Sequence, residues 1–181
     1  MGALLTAFRK AHAIRKDAGR ATRACPVAKL DEAKRIVYGV VLDPYAVDLQ
    51  NDWSPPNEVE DAAHGWLAHW RMIGSQHERR SPDTEVVESY LFPYPTPADY
   101  RAACAVQPHR IFELQFGADV LHSGAWVLAV RLTDDAEWAK FLAGEYGAFS
   151  IRGFGERVPV PRAAMPQVTT LRIDALLGGG Q

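Results

Sequence analysis

Residues 124–153 read GAWVLAVRLTDDAEWAKFLAGEYGAFSIRG, and their pattern decides the class of fold. Residues 125–132 are apolar, β-branched and aromatic, which predicts a strand. Thr133, Asp134 and Asp135 then supply capping oxygens for a short helix that runs past Trp138 and Phe141 to Gly144. Residues 149–152 return to a strand pattern. One hydroxyl, Ser150, lies inside that last apolar run, with glycines at 144, 147, 153 and 155 around it. Two readings stand at this point. Ser150 is a small residue in a buried strand, or it is a nucleophile whose glycine neighbours let another backbone come close.

Working outward, residues 35–42 (RIVYGVVL) and 85–92 (EVVESYLF) read as further strands, the first closed by the Asp43-Pro44 turn. Residues 111–116 and 120–121 suggest a hairpin around Gly117, and residues 169–177 a last strand. Ser54, Pro55, Pro56 and Glu58 form a helix start, with Ser54 as the expected cap. Val59, Ala62, Ala63, Trp66, Leu67 and Trp70 follow at three- and four-residue steps, so this helix covers a core with one face. Residues 21–33 read as linker, and residues 93–108, with prolines at 93, 95, 97 and 108, as a loop. Five to eight strands, two internal helices and no regular βαβ alternation imply an α+β domain built on a mainly antiparallel, barrel-like sheet.

The 181 residues allow one domain with a substantial core. An apolar share of 48% with 23% charged residues fits a globular chain, and no apolar run approaches the roughly 18 residues of a membrane span. Cys25 and Cys104 give neither a disulfide framework nor a CxxC knuckle, which points to a reducing, intracellular setting. Charge is segregated. Residues 1–35 carry nine Lys and Arg against three acids, whereas the remaining 146 carry eleven bases and nineteen acids. A basic arm thus precedes an acidic body, and the arm suits an acidic partner. It lacks interleaved aromatics, so specific nucleic-acid binding is not expected.

Cofactor and metal chemistry find little support. No GxxxxGK[ST] occurs, and no GxGxxG follows a strand. His64 and His69, five residues apart on the expected helix, do not share a face as an i, i+4 pair would, and HExxH is absent. His109 and His122 flank the hairpin without partners at metal-like spacing. His77 differs, because it directly precedes the strand that holds Val86 and Val87. Acyl transfer needs a hydroxyl, a neutral imidazole to take its proton, and donors for the oxyanion. Ser150 and His77 supply the first two across two strands, although GAFSIRG is not the GxSxG elbow of an α/β-hydrolase.

Read in order, RIVYGVVLDP, QHE, VVESYL and the block from Trp126 to Gly153 resemble the phage serine proteases of the XkdF type, grouped with the prohead or capsid-maturation proteases. The resemblance covers roughly residues 35–155 and implies an assemblin-like fold. It implies that Ser150 is the nucleophile and His77 the general base. For the third member it implies an acid on a C-terminal strand, which Asp174 in LRIDALL fits approximately; Glu88, expected to share a face with Val86 and Tyr90, ranks ahead of it because its strand directly follows His77. Arg152 and Gly153 fall at the oxyanion and substrate-binding positions, with Arg152 in place of a glycine in the family's pattern. The domain boundaries then follow as a basic arm and linker (1–33), a protease domain (34–177) and a loose tail (178–181). Scaffold and major capsid protein, and the protease itself, are the implied substrates, inside an assembling prohead in the host cytoplasm. A homodimer is implied by analogy, and no cofactor, metal or membrane. The competing expectation is an inactive structural or scaffold component of the prohead.

Overall fold

A computed structural model describes residues 21–47, 52–71, 74–75, 79–80, 84–117, 119–145, 148–153 and 167–173. In chain order these form β1 (Ala21–Asp31), β2 (Ile36–Leu42), α1 (Pro56–His69), β3 (Gly74–Ser75), β4 (Arg79–Arg80), β5 (Thr84–Leu91), α2 (Pro97–Cys104), β6 (His109–Phe116), β7 (Asp119–His122), β8 (Trp126–Leu132), α3 (Asp135–Leu142), β9 (Ala148–Gly153) and β10 (Val168–Arg172). The main sheet runs β5-β8-β2-β1-β9 with every pairing antiparallel. A second sheet, β10-β6-β7, joins an antiparallel hairpin to a parallel partner, and β3 pairs with β4. The class is α+β and mostly antiparallel, as the sequence implies. The barrel is not found: among the described residues the main sheet ends at β5 on one side and β9 on the other.

Strand β8 is the axis of the core, and Trp126 to Val130 are all buried. One face of the sheet places Val41, Trp126 and Leu128 against Val59 and Ala63 of α1. The other face sets Val40 and Val127 against Leu121, with Leu114 and Phe116 of the β6–β7 hairpin packed alongside. Side chains alternate across a strand, so one β8 sequence feeds two layers, and a near-continuous apolar run is what such a strand needs.

Local chemistry fixes several element ends. Asp134 caps α3 by accepting the Glu137 N–H at 2.8 Å, and Gly144 ends it at φ 77°. Helix α1 departs from the expected cap. Pro55 occupies the N-cap position without a side-chain hydrogen bond, and Pro56 opens the first turn. Its apolar face is also narrower than the spacing suggests, for Leu67 and Trp70 are 40% and 55% exposed.

Two further expectations are corrected. Residues 21–31 are a strand, not linker, because β1 finds backbone partners on both sides, β2 and β9. A register shift between Val27 and Lys29 lies next to Pro26, which lacks the N–H for a regular ladder. The 93–108 segment contains α2, opened by Thr96, whose hydroxyl accepts the Asp99 N–H at 3.2 Å, and by Pro97. The last strand is described as Val168–Arg172 and ends at a bend at Ile173, while residues 174–177 of the expected strand lie outside the described residues.

Candidate active site

Ser150 lies in β9, in register with Ala24 of β1. Arg152 and Gly153 continue the same ladder, opposite Thr22 and Ala21. Among the described residues β9 has β1 as its one neighbour, so its other edge ends the sheet. His77 lies outside the described residues, between β3 and β4 in sequence. Asp174 lies outside them too, just beyond β10.

Glu88 is described in full, and its surroundings differ from those expected. A register shift between Val86 and Glu88 breaks the alternation of β5. Val86 therefore packs on the α1 side of the sheet, while Tyr90 packs on the hairpin side. Glu88 pairs with Ala129 of β8, and Ala129 pairs with Tyr38 of β2. The methyl group of Ala129, fully buried, is small enough for the outer two side chains to meet across it. Burial, with the charge and hydrogen bond of Glu88 added, pushes the Tyr38 phenol above its ordinary range. Glu88 is exposed rather than half-buried. Strand pairing does not bring it beside Ser150: β8, β2 and β1 lie between β5 and β9. At about 4.8 Å per strand that is roughly 19 Å along the sheet.

Two polar clusters went unread in the sequence. In the first, His122 donates its Nδ1–H to Asp43 Oδ2 at 2.7 Å, and its Nε2 lies 3.7 Å from Glu113 Oε2. The other Glu113 oxygen, Oε1, pairs with Arg172 Nε at 2.9 Å. Asp43 is 5% exposed and also accepts the Tyr45 N–H at 2.8 Å. The Asp43 hydrogen bond raises the His122 pKa against the opposing effect of burial. In the second, buried His109 holds Nδ1 2.7 Å from the Gln107 carbonyl and Nε2 2.6 Å from Tyr45 Oη, which in turn meets Tyr94 Oη at 2.9 Å. The partners are separated by 79, 64 and 49 residues. Spacing rules for metal ligands therefore could not reveal them; the only cue was that histidines flank a hairpin opposite an Asp-Pro turn. Among the described residues no group of three or more His, Cys, Asp or Glu is arranged to hold a metal ion. No helix among them is long and apolar enough to cross a membrane.

Comparison with known proteins decides the family. The family described as "Putative phage serine protease XkdF" matches residues 25–159. The chain belongs to it. That span starts within β1 and takes in His77, Glu88, Ser150, Arg152 and Gly153. From Bacillus subtilis strain 168, the phage-like element PBSX protein XkdF is 30% identical over 135 residues, covering 73% of this chain and 42% of its own length. The protein YqbD of the same strain, described as uncharacterized, is 29% identical over 144 residues, covering 80% of this chain and 39% of its own. The chain thus spans about two fifths of the length of the curated relatives it matches. No solved structure matches it.

Proposed function

We propose that the chain is a serine endopeptidase that cleaves scaffold and capsid proteins, and itself, during phage head maturation in the host cytoplasm. The supporting observation is the family match over 25–159, which includes both His77 and Ser150 and carries a serine-protease description. Among the described residues β9 stands at one end of the main sheet, which adds a physical route for substrate. An extended peptide pairs with an open strand edge through its backbone, which would draw a scissile bond along the strand that bears Ser150.

In this reading Ser150 Oγ attacks the scissile carbonyl and its proton passes to His77. His77 returns that proton to the leaving amine as the tetrahedral intermediate collapses to the acyl-enzyme. Water, deprotonated by His77, then releases the acid product and restores the serine. Gly153 leaves room for the substrate backbone, and the Arg152 guanidinium is the cation nearest the nucleophile in sequence. The proposal rests on the Ser150–His77 pair. Glu88, on the far edge strand β5, already engages Tyr38 of β2, so Asp174 becomes the stronger candidate for orienting His77.

A fluorophosphonate probe and peptide mass spectrometry test the pair. The expected adduct sits on Ser150 and is lost in His77→Ala. An adduct on another serine, or equal labelling without His77, contradicts it. Arg152, standing where the family pattern has glycine, is the one feature that favours an inactive structural component, and that reading predicts no adduct at all.

A further inference from the structure

A surface pocket of about 370 Å³ lies between the first turns of α1 and α2 and the chain after β5. The family assignment gives it no role, and it contains none of the proposed catalytic residues. Its walls are apolar and ring-shaped, formed by Pro56, Pro93, Pro95 and Pro97 together with Phe92 and the mutually tilted rings of Tyr94 and Tyr100, whose centroids lie 5.4 Å apart. One charged side chain enters the lining, Glu60 of α1, whose Oε2 accepts the Tyr100 hydroxyl.

The direction of the hydrogen bonds matters more than their number. Gln107 O can only accept, so His109 Nδ1 carries a proton. In the Nδ1–H tautomer Nε2 accepts from Tyr45, and Tyr45 accepts from Tyr94. The Tyr94 proton therefore points away from the pocket. The Tyr100 proton goes to Glu60, and the Thr96 proton to Asp99 Oδ2 at 2.6 Å. Every lining hydroxyl has committed its proton and offers lone pairs.

The backbone supplies few donors in compensation. Four lining residues are prolines without an N–H. Gly124 N–H is bound to the Phe92 carbonyl, and Phe92 N–H to that of Ala125. Helix N-termini normally favour anions. Here, however, the Glu58 and Val59 N–H groups go to Pro55 O, and the Asp99 and Tyr100 N–H groups to Thr96.

A pocket of aromatic faces and acceptors around one carboxylate selects a cation with an apolar stem. We infer that this pocket binds the arginine or lysine side chain of a polypeptide partner, its alkyl stem on the proline walls and its charge between the tyrosine rings and Glu60. The lining contains no basic residue, so charge complementarity is unopposed within it.

The test uses the full chain and two isosteric probes, N-acetyl-argininamide and the uncharged N-acetyl-citrullinamide, followed by NMR. Saturable shifts at Tyr94, Tyr100 and Gly124 are expected with the arginine probe. The citrulline probe, and the arginine probe on Glu60→Gln, should bind roughly tenfold more weakly or worse. Equal binding of both probes to the wild-type chain would make this a merely apolar pocket and overturn the inference. Absence of any shift with the arginine probe would overturn it too. The two-probe comparison needs no variant, so a Glu60→Gln chain that fails to fold leaves the test intact.

Discussion

His122 donates its Nδ1–H to Asp43 Oδ2 at 2.7 Å, tying the end of β7 to the turn after β2 and so joining the two sheets. Asp43 is buried and raises the histidine's pKa. A group whose folded pKa is raised stabilises fully below its unfolded value, and the effect fades as pH climbs through the folded value. Denaturant unfolding of His122→Asn should therefore show its largest deficit below about pH 6.5, shrinking on the alkaline side. Removing a hydrogen bond to a charged group sets the deficit at about 1.5–3 kcal/mol. A deficit that does not vary with pH would contradict the charged pair.

The opposite sign applies to Asp99. Hydrogen bonds from Arg110, then Thr96, hold its carboxyl well below the usual carboxylate range. Its contribution is present above about pH 3.9 and is lost as pH falls through the lower folded value. Asp99→Asn should be least stable relative to wild type at neutral pH, with the gap closing in strong acid. The Arg110 side chain is 51% exposed, so salt should narrow the gap as well.

Gly124 and Gly144 share a left-handed backbone, φ 79° and 77°, and differ in their surroundings. A Cβ on Gly124 would lie 2.6 Å from Tyr94 Oη, whereas one on Gly144 meets nothing within 4 Å. Alanine at either costs about 1–2 kcal/mol for the conformation alone. At Gly124, overpacking adds about 1–3 kcal/mol. Thermal unfolding of the two variants should separate these effects, and equal losses would contradict the tight approach of Tyr94.

Much of the fold was legible because these elements carry their own local signal. Strand β8 shows as an apolar run, α3 as a capped amphipathic turn, and the β6–β7 hairpin as a pair of runs about Gly117. Strand β1 was hidden because ATRACPVAKLD carries charge, a proline and small residues; it is a strand through its partners, not its composition. Helix α2 was hidden by its prolines, although Thr96-Pro97-Ala98-Asp99 is itself a helix-start signature. The bulge between Val86 and Glu88 shows how one extra residue puts Val86 and Tyr90 on opposite faces, where alternation alone would keep them on one. Ser150 was legible as a strand residue; its proposed partner His77 lies outside the described residues.

Glu88→Gln should lower the Tyr38 ionisation, read by ultraviolet titration, toward the ordinary tyrosine value of about 10. It should change proteolysis little, because β8, β2 and β1 separate the two edge strands. Loss of an orienting carboxylate costs about 10⁴-fold in a serine triad. A loss of that size in Glu88→Gln would return Glu88 to the site, and the same loss in Asp174→Asn would mark Asp174 as the third member.

Co-expression with the phage scaffold and major capsid protein tests the central claim most directly, with processing followed by mass spectrometry for the wild-type chain and Ser150→Ala. Loss of one hydroxyl leaves packing almost unchanged, so the variant should fold with wild-type thermal stability while cleavage of both substrates disappears. Cleavage that continues at the same sites in a folded Ser150→Ala chain would contradict the account.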